Sequence, residues 1–396
     1  MKSKLFKITE DRSQFPEKNA EGKIDIDLSS HKYLKLWQGP QHPGITGNMA
    51  LELTVLGDEV MHCETHVGYL HRGFEKLMER RRFIQCLPIC VRIAVPEPDF
   101  NEYCLTSTVE ELAGLKIPDA AKWMRTLLLE MSRLQSFLMW IGGQAGAFGL
   151  GIIGQWSNYV RDLVLDRFEE ITGGRIYHMH MIPGGVRGLT PDGFEKRMEE
   201  TLQEIEKVMK DIETTMFNNS IFKKRSIGLG YIDPSMVFEY GVTGPNARAA
   251  GIPKDVRKDY PYLKYNELDF DVITGKNSDA FTRADIRRKE IHLSIDLIRQ
   301  MMVKMPKSGD YMAKVPNVLH WKIPKGETYV RAECTRGEFG YYTVTDGSGY
   351  PRRINVRGPS YTHAVALMEK LAIDVNIADT AGLMVSLHTY PPEIER

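Results

Sequence analysis

The 396-residue chain has few cysteines, no excess of either charge and no unbroken apolar run, and each shortage removes a class of function. Five cysteines, at 63, 86, 90, 104 and 334, are too few and too unevenly spaced for a disulfide framework, so a reducing compartment is expected. Lysine plus arginine and aspartate plus glutamate both total 52. Without a basic field, no nucleic-acid partner is expected. Near-zero net charge supplies little self-repulsion, which favours life inside a complex. The longest apolar stretch, 136–153, is broken by Gly142, Gly143, Gly146 and Gly149, with Glu130, Arg133 and Gln144 in or beside it. It reads as a buried core helix and its exit turn, so any membrane attachment is expected to run through partners. Met1–Phe15 lacks an apolar core, and no signal peptide is expected.

What is present is periodic. Met49–Val60 alternates like a half-buried strand, and a small sheet is expected near the N-terminus. From about Thr65 the pattern turns helical, most clearly over Ala120–Trp140. Thr190–Pro191 reads as an N-cap with proline at the first helical position. The helix that follows places Phe194, Met198, Leu202, Ile205, Met209, Ile212 and Met216 on one stripe, as core packing does. Residues 241–280 lose periodicity, and so long an irregular segment is expected to be functional or partner-facing. A helix is expected over 278–305, strands over 329–344, a hairpin turn at Asp346–Gly347 and a closing helix over 361–377.

Four short constellations carry chemistry. In Gly39-Pro40-Gln41-His42-Pro43, two prolines fix the loop and present the His42 imidazole, which suits proton delivery; a histidine capping a turn would read the same. The run 66–76 packs His66, His71, Arg72, Glu75 and Lys76 around two glycines. If helical, Arg72 and Glu75 pair at i,i+3, and a fixed cation there would raise the potential of a nearby metal–sulfur cluster; a solvated charged helix is the alternative. Cys86 and Cys90 could bind metal, cycle as a disulfide, handle sulfur or lie buried and inert. Pro88 disfavours helix at Leu87, which predicts a bent loop for the pair. A complete 4Fe–4S cluster needs four thiolates, and no matching second pair exists. Finally, Pro391-Pro392 before the charged end suggests that the C-terminus folds back inward.

Taken in order, GPQHP at 39–43, ETHVGYLHRGFEKL at 64–77, PGGVRG at 183–188, GVTGPNARAAGIPKDVRKDYPY at 241–262, TRGEFGYYTVTDGSGYPRRINVRGPS at 335–360 and PEIER at 392–396 span nearly the whole chain. The chain resembles the large subunit shared by respiratory complex I and energy-converting membrane-bound hydrogenases. The resemblance implies an α+β fold of the NiFe-hydrogenase large-subunit type. Its expected parts are a β-rich region over 1–60, a central helical bundle over 61–240 and a C-terminal α/β region over 241–396 packed back on the bundle. It also implies a peripheral place on the cytoplasmic face of the membrane. The partners would be a hydrogenase-like small subunit holding the terminal 4Fe–4S cluster, a ferredoxin-like cluster subunit and antiporter-like membrane subunits that pump ions.

Departures from the family pattern narrow the reading. Hydrogenases of the family bind nickel and iron through two CxxC pairs; here the first is read as altered to Cys86 and Cys90, and the second falls on Tyr390 and Glu393. No Ni–Fe centre is expected. Quinone-reducing members resemble the chain at His42 but carry a tyrosine where Val95 stands, and a histidine where Tyr177 stands, with His178 and His180 nearby. Valine cannot donate a hydrogen bond to a quinone. This pattern is similar to that of the membrane-bound sulfane sulfur reductases, with Cys86, Cys90, His42 and Arg72 as the expected catalytic residues and His71, Arg72, Glu75, Cys86 and Cys90 beside the cluster, the two cysteines as its ligands or its neighbours. Quinone reduction and a purely structural coupling role are the rivals.

Overall fold

The computed structural model describes residues 32–42, 45 and 48–396. Most of the expected β-rich region over 1–60, and Pro43 of the His42 loop, lie outside the described residues.

The alternating segment at Met49–Val60 forms strands, as its pattern predicts. β1 (Leu34–Gln38), β2 (Ala50–Leu56) and β3 (Glu59–His66) make an antiparallel sheet in which Leu36 faces Leu53 and Leu53 faces Cys63. Its inner residues Leu51, Leu53, Val55 and Val60 pack on Leu367, Met368, Leu383 and Leu387 from the other end of the chain. Each fully buried side chain of this kind contributes roughly 1.5–3 kcal/mol. The described N-terminal sheet and the last part of the chain are thus one hydrophobic unit.

The helices α1 (Phe74–Glu79), α2 (Phe83–Cys90) and α3 (Pro98–Ala113) lead into the long pair α4 (Asp119–Ala147) and α5 (Gly151–Thr172). α4 runs through three of the glycines of the apolar stretch and ends at the turn after Ala147. Gly142 serves the packing: a Cβ there would meet Ser157 and the Gly154 backbone of α5, so the two helices approach closely only because it is absent. Among the described residues no helix is long and apolar enough to cross a membrane.

After the short hairpin of β4 (Met181–Ile182) and β5 (Gly185–Val186), α6 spans Phe194–Ile212. Its predicted stripe is fully buried from Phe194 to Met216, the last residue lying on a π-helical extension. The start differs from expectation. Thr190–Pro191 opens a turn in which Gly193 adopts φ 74°, and the helix begins only at Phe194.

Two short helices, α7 (Ser220–Ser226) and α8 (Pro234–Glu239), precede the irregular stretch 241–280, which itself holds α9 (Gly244–Ala249) and α10 (Val256–Asp259) before α11 (Ala280–Lys304). α11 packs along α4, so the bundle draws on the C-terminal third as well. A buried ionic network ties these parts together. Glu290 of α11 meets Arg133 of α4 at 2.6 Å and Arg248 at 2.7 Å, Arg248 meets Glu333 at 2.8 Å, and Arg257 meets Asp255 at 2.7 Å.

β6 (Gly326–Cys334), β7 (Gly337–Thr345) and β8 (Pro351–Arg357) form the C-terminal sheet, with the expected turn after Asp346. The closing helix expected over 361–377 is shorter. A π-helical turn, Thr362–Leu367, and α12 (Met368–Leu371) give way to a turn in which Asp374 has φ 62°. There Asp374 and Val375 exchange backbone hydrogen bonds with Val60 of β3, which ends the helix. α13 (Thr380–Leu387) and α14 (Pro391–Ile394) complete the chain, and residues 391–395 are buried, as the Pro-Pro step suggested.

Candidate functional site

The loop 66–73 between β3 and α1 is pinned by the end of the chain. The Glu395 carboxylate accepts the Gly68 amide at 2.6 Å and the Leu70 amide as well, and His71 Nδ1 lies 2.5 Å from the Glu395 carbonyl. Arg72 is exposed, with its guanidinium 4.3 Å over the Phe74 ring and 3.0 Å from the Arg92 carbonyl. The expected Arg72–Glu75 pair does not form, because 66–73 is not helical. Glu75 instead accepts Arg353 at 2.9 Å, Arg396 at 3.0 Å and the Val356 amide at 2.9 Å. His42 lies on the exposed loop after β1, its backbone amide donating to the Gly39 carbonyl at 2.9 Å.

Cys86 and Cys90 are on helix α2 and not on the bent loop that Pro88 predicted. A capping pair, Arg82 with Gln85, starts the helix, and the Arg92 guanidinium donates to the Pro88 carbonyl near its end. Both thiols are buried. Cys86 lies 3.4 Å from the Met78 carbonyl and 3.3 Å from that of Arg82, and Cys90 lies 3.3 Å from the Leu87 carbonyl. Burial pushes the Cys86 thiol up to about 12 and the Cys90 thiol well above its ordinary range. Neither is poised as a thiolate, which is the form that attacks sulfur or ligates metal.

The residues that face the 390–393 turn come from further along the chain. Burial raises the Tyr390 hydroxyl to about 12, against the pull of the nearby Arg336 and of the Val95 backbone. Arg336, at the β6–β7 turn, sits 2.6 Å from Glu97 and 2.9 Å from Glu393, with all three side chains out of solvent. The second oxygen of Glu97 takes the Thr335 amide at 2.8 Å, and that of Glu393 takes the Ser360 amide at 2.8 Å. A Cβ at Gly358 would overlap Glu393, so only glycine leaves room for that carboxylate. The expected neighbour of Tyr390 and Glu393 was the Cys86–Cys90 pair; the observed one is Val95–Glu97. Above the buried Glu97–Arg336–Glu393 group, half-buried Val95, Arg92, Tyr177 and Tyr390 form a rim beside exposed Arg72, with Arg92 stacked 4.5 Å over the Tyr177 ring. His180 and His178 turn inward, His180 to the Gly188 carbonyl at 2.9 Å.

Glu97 and Arg336 escaped the sequence reading. Arg336 lies within the quoted TRGE motif, but Glu97, flanked by two prolines, carries no local signal. As a donor set for nickel, the 390–393 turn does not fit: a phenol, and a carboxylate engaged by Arg336 and Ser360, are not bridging thiolates.

This architecture, an N-terminal sheet closed by the C-terminus around a long-helix bundle, is that of a complex I-type and hydrogenase-type large subunit. Residues 153–396 match the family model described as respiratory-chain NADH dehydrogenase, 49 Kd subunit, and the chain belongs to that family. It is 41% identical, over 92% of its length and 99% of the relative's, to an NADH-quinone oxidoreductase subunit of Thermosipho melanesiensis. It is 35% identical to an F(420)H(2) dehydrogenase subunit of Methanosarcina mazei, over 90% and 96% of the two chains. A solved chain from the membrane-bound sulfane sulfur reductase, an archaeal respiratory membrane complex, superposes with a TM-score of 0.90 at 39% identity, covering 93% of this chain and 99% of that one. The chain is an oxidoreductase subunit of the complex I type.

Proposed function

We propose that the chain is the catalytic-module subunit of a membrane-attached, ion-pumping complex that passes electrons from a partner subunit's 4Fe–4S cluster to sulfane sulfur, as polysulfide or elemental sulfur. The observation that carries this reading is Val95, half-buried beside Tyr390, whose side chain offers the rim no hydrogen-bond donor. The solved structure from a sulfane sulfur reductase supports it. The cluster would supply electrons one at a time. In this chain Arg72 and His71 fit a place beside it, while the buried thiols of Cys86 and Cys90 do not fit as its ligands. The chain's own part is to offer a soft, polarisable acceptor an apolar wall at Val95 and positive charge at Arg72 and Arg92. His42, on its exposed loop, would serve proton exchange with solvent.

The partners in this reading are a hydrogenase-like small subunit, a ferredoxin-like cluster subunit and antiporter-like membrane subunits, on the cytoplasmic face. The identity with NADH-quinone oxidoreductase subunits favours quinone reduction as the second reading. Turnover separates the two. The purified complex, given a low-potential donor, should evolve sulfide from polysulfide and leave quinone oxidised. Quinone reduction without sulfide evolution would replace the first reading with the second. Substituting Val95→Tyr should lower sulfide evolution by about tenfold or more if the wall contributes to the reacting geometry.

A further inference from the structure

Helix α3 begins at the site and carries an unusual load for an interior helix: Asp99, Asn101, Glu102 and Glu110 are all buried. Burying carboxylates costs several kcal/mol each unless hydrogen bonds replace the lost water (on the order of the Born penalty after relaxation). Glu102 recovers its share from three successive amides of the segment after Tyr177, those of Met179 at 2.5 Å, His180 at 2.9 Å and Met181 at 3.0 Å. Asp99, one turn earlier, holds His178 Nδ1 at 2.9 Å. The imidazole is stacked on Phe168 of α5 at 4.0 Å, and its Nε2 is enclosed without a hydrogen-bond partner among the described residues. Packing alone would be better served by apolar residues at all three positions.

The cluster adjoins the site through two covalent steps. Asp99 lies two residues past Glu97, which is bound to Arg336. His178 follows Tyr177, which stands at the rim under Arg92.

We infer that Asp99, His178 and Glu102 form the proton store of the acceptor site, with Glu102 and His178 holding the proton and Asp99 positioning the imidazole. The inference rests on the reading that this rim reduces an acceptor, but not on which one. Cleaving one sulfur–sulfur bond of a polysulfide dianion takes two electrons and one proton, and yields hydrosulfide and a dianion one sulfur shorter. The electrons come from the partner's iron–sulfur cluster; the proton leaves the store, which refills from solvent. Reducing a quinone to the quinol would draw two.

The electrostatics agree with the geometry. Burial and then the Asp99 charge raise the Glu102 carboxyl to about 8, against the pull of the Met181 and Met179 amides and of His178. Burial would lower His178, but the Asp99 and Glu102 charges outweigh it and the net shift is upward. The other titratable or charged groups facing the cluster are Cys90 from α2, which burial keeps as a neutral thiol, and His180 and Arg187 from the segment beside α3. His180 itself is lowered by burial and stays neutral, so neither group supplies a competing proton.

The test is the pH profile of acceptor reduction by the assembled complex, using polysulfide or quinone, whichever the unmodified complex reduces. A wrong acceptor in the reading above therefore leaves this test intact; a complex that reduces neither overturns both. The unmodified complex should lose activity as pH rises past about 8, where a store that must be protonated empties; a profile flat to pH about 9.5 overturns the proposal without any variant. Glu102→Gln keeps an acceptor for the amides but cannot release a proton, and should be slower by about 10²-fold at neutral pH. Asp99→Asn, which removes the neighbouring charge, should move the alkaline limb down by about one pH unit. If Glu102→Gln fails to assemble, Asp99→Asn carries the test. A structural role would lower assembly or thermal stability and leave the limb in place, and that result overturns the proposal.

Discussion

The Glu393 carboxylate lies 2.9 Å from the Arg336 guanidinium, and this contact joins the last helical turn of the chain to the tip of the β6–β7 hairpin. Through the same guanidinium the pair reaches Glu97 at the start of α3. Three segments distant in sequence therefore meet at one cation, whose charge burial alone would strip and the two carboxylates restore. The geometry is self-consistent only while all three are present.

Replacing Arg336 by methionine would leave two buried carboxylates without a counter-charge. Breaking such a group from one side costs about 3–5 kcal/mol. The expected outcome is a large fall in the thermal midpoint of the chain within its complex. Arg336→Lys, which keeps the charge but loses the planar fork, should fall between the two. Equal stability of the methionine variant and the parent would show that the charges are screened by something other than Arg336.

The thiols of Cys86 and Cys90 should be unreactive in the native state. A thiol held at about 12 has on the order of one part in ten thousand as thiolate at pH 8, and burial blocks access besides. Iodoacetamide should label neither residue in the folded complex and both after denaturation, read by mass spectrometry. Cys86→Ser with Cys90→Ser should retain acceptor reduction while losing about 1–3 kcal/mol of stability, since a hydroxyl is costlier to bury there. Rapid native labelling, or loss of turnover at unchanged stability, would return the pair to the chemistry.

The parts of this fold that repeat were legible in the sequence. The α6 stripe and the alternation of β2 each report a face that must be buried, and burial follows pattern. The parts that failed were set by partners far along the chain. Pro88 argues locally against helix, yet α2 forms because Arg92 and the Arg82–Gln85 cap hold both its ends. The helix after Tyr361 stops where it does because Val60, far earlier in the chain, offers Asp374 and Val375 a strand to pair with. Glu75 stands three residues from Arg72 but belongs to Arg353 and Arg396. For the same reason the contacts of the 390–393 turn were not legible: two cysteines are conspicuous in a sequence, whereas Glu97 becomes visible only when Arg336 is brought beside it.

Glu395 offers a local probe of the loop that carries Arg72. Its carboxylate accepts the Gly68 and Leu70 amides, and hydrogen bonds to a charged acceptor contribute about 1.5–3 kcal/mol each. In Glu395→Gln, which keeps the shape and loses the charge, amide exchange over 68–71 should accelerate by about tenfold or more, while exchange in α4 stays unchanged. Hydrogen exchange read by mass spectrometry separates these regions. Uniform acceleration across the chain would mean that the contact holds the fold and not merely the loop.

The buried network makes a pH prediction with a definite sign. Burial, and then the Asp255 charge, raises the Glu333 carboxyl to about 7, although Arg248 and Arg133 pull it down. In the unfolded chain the same carboxyl titrates near its ordinary value of 4.5. Between those two values the folded state binds more protons than the unfolded state, so this residue makes stability fall as pH rises. Its favourable contribution is complete below the unfolded value and gone above the folded one. The loss amounts to at most about 3 kcal/mol, and less to the extent that the coupled Asp255 takes up part of the proton. Denaturant unfolding at pH about 5, 6 and 7.5 should show this decline, and Glu333→Gln, which cannot titrate, should flatten it. A decline of the same slope in the glutamine variant would assign the effect to another buried acid, of which Glu102 is the nearest in kind.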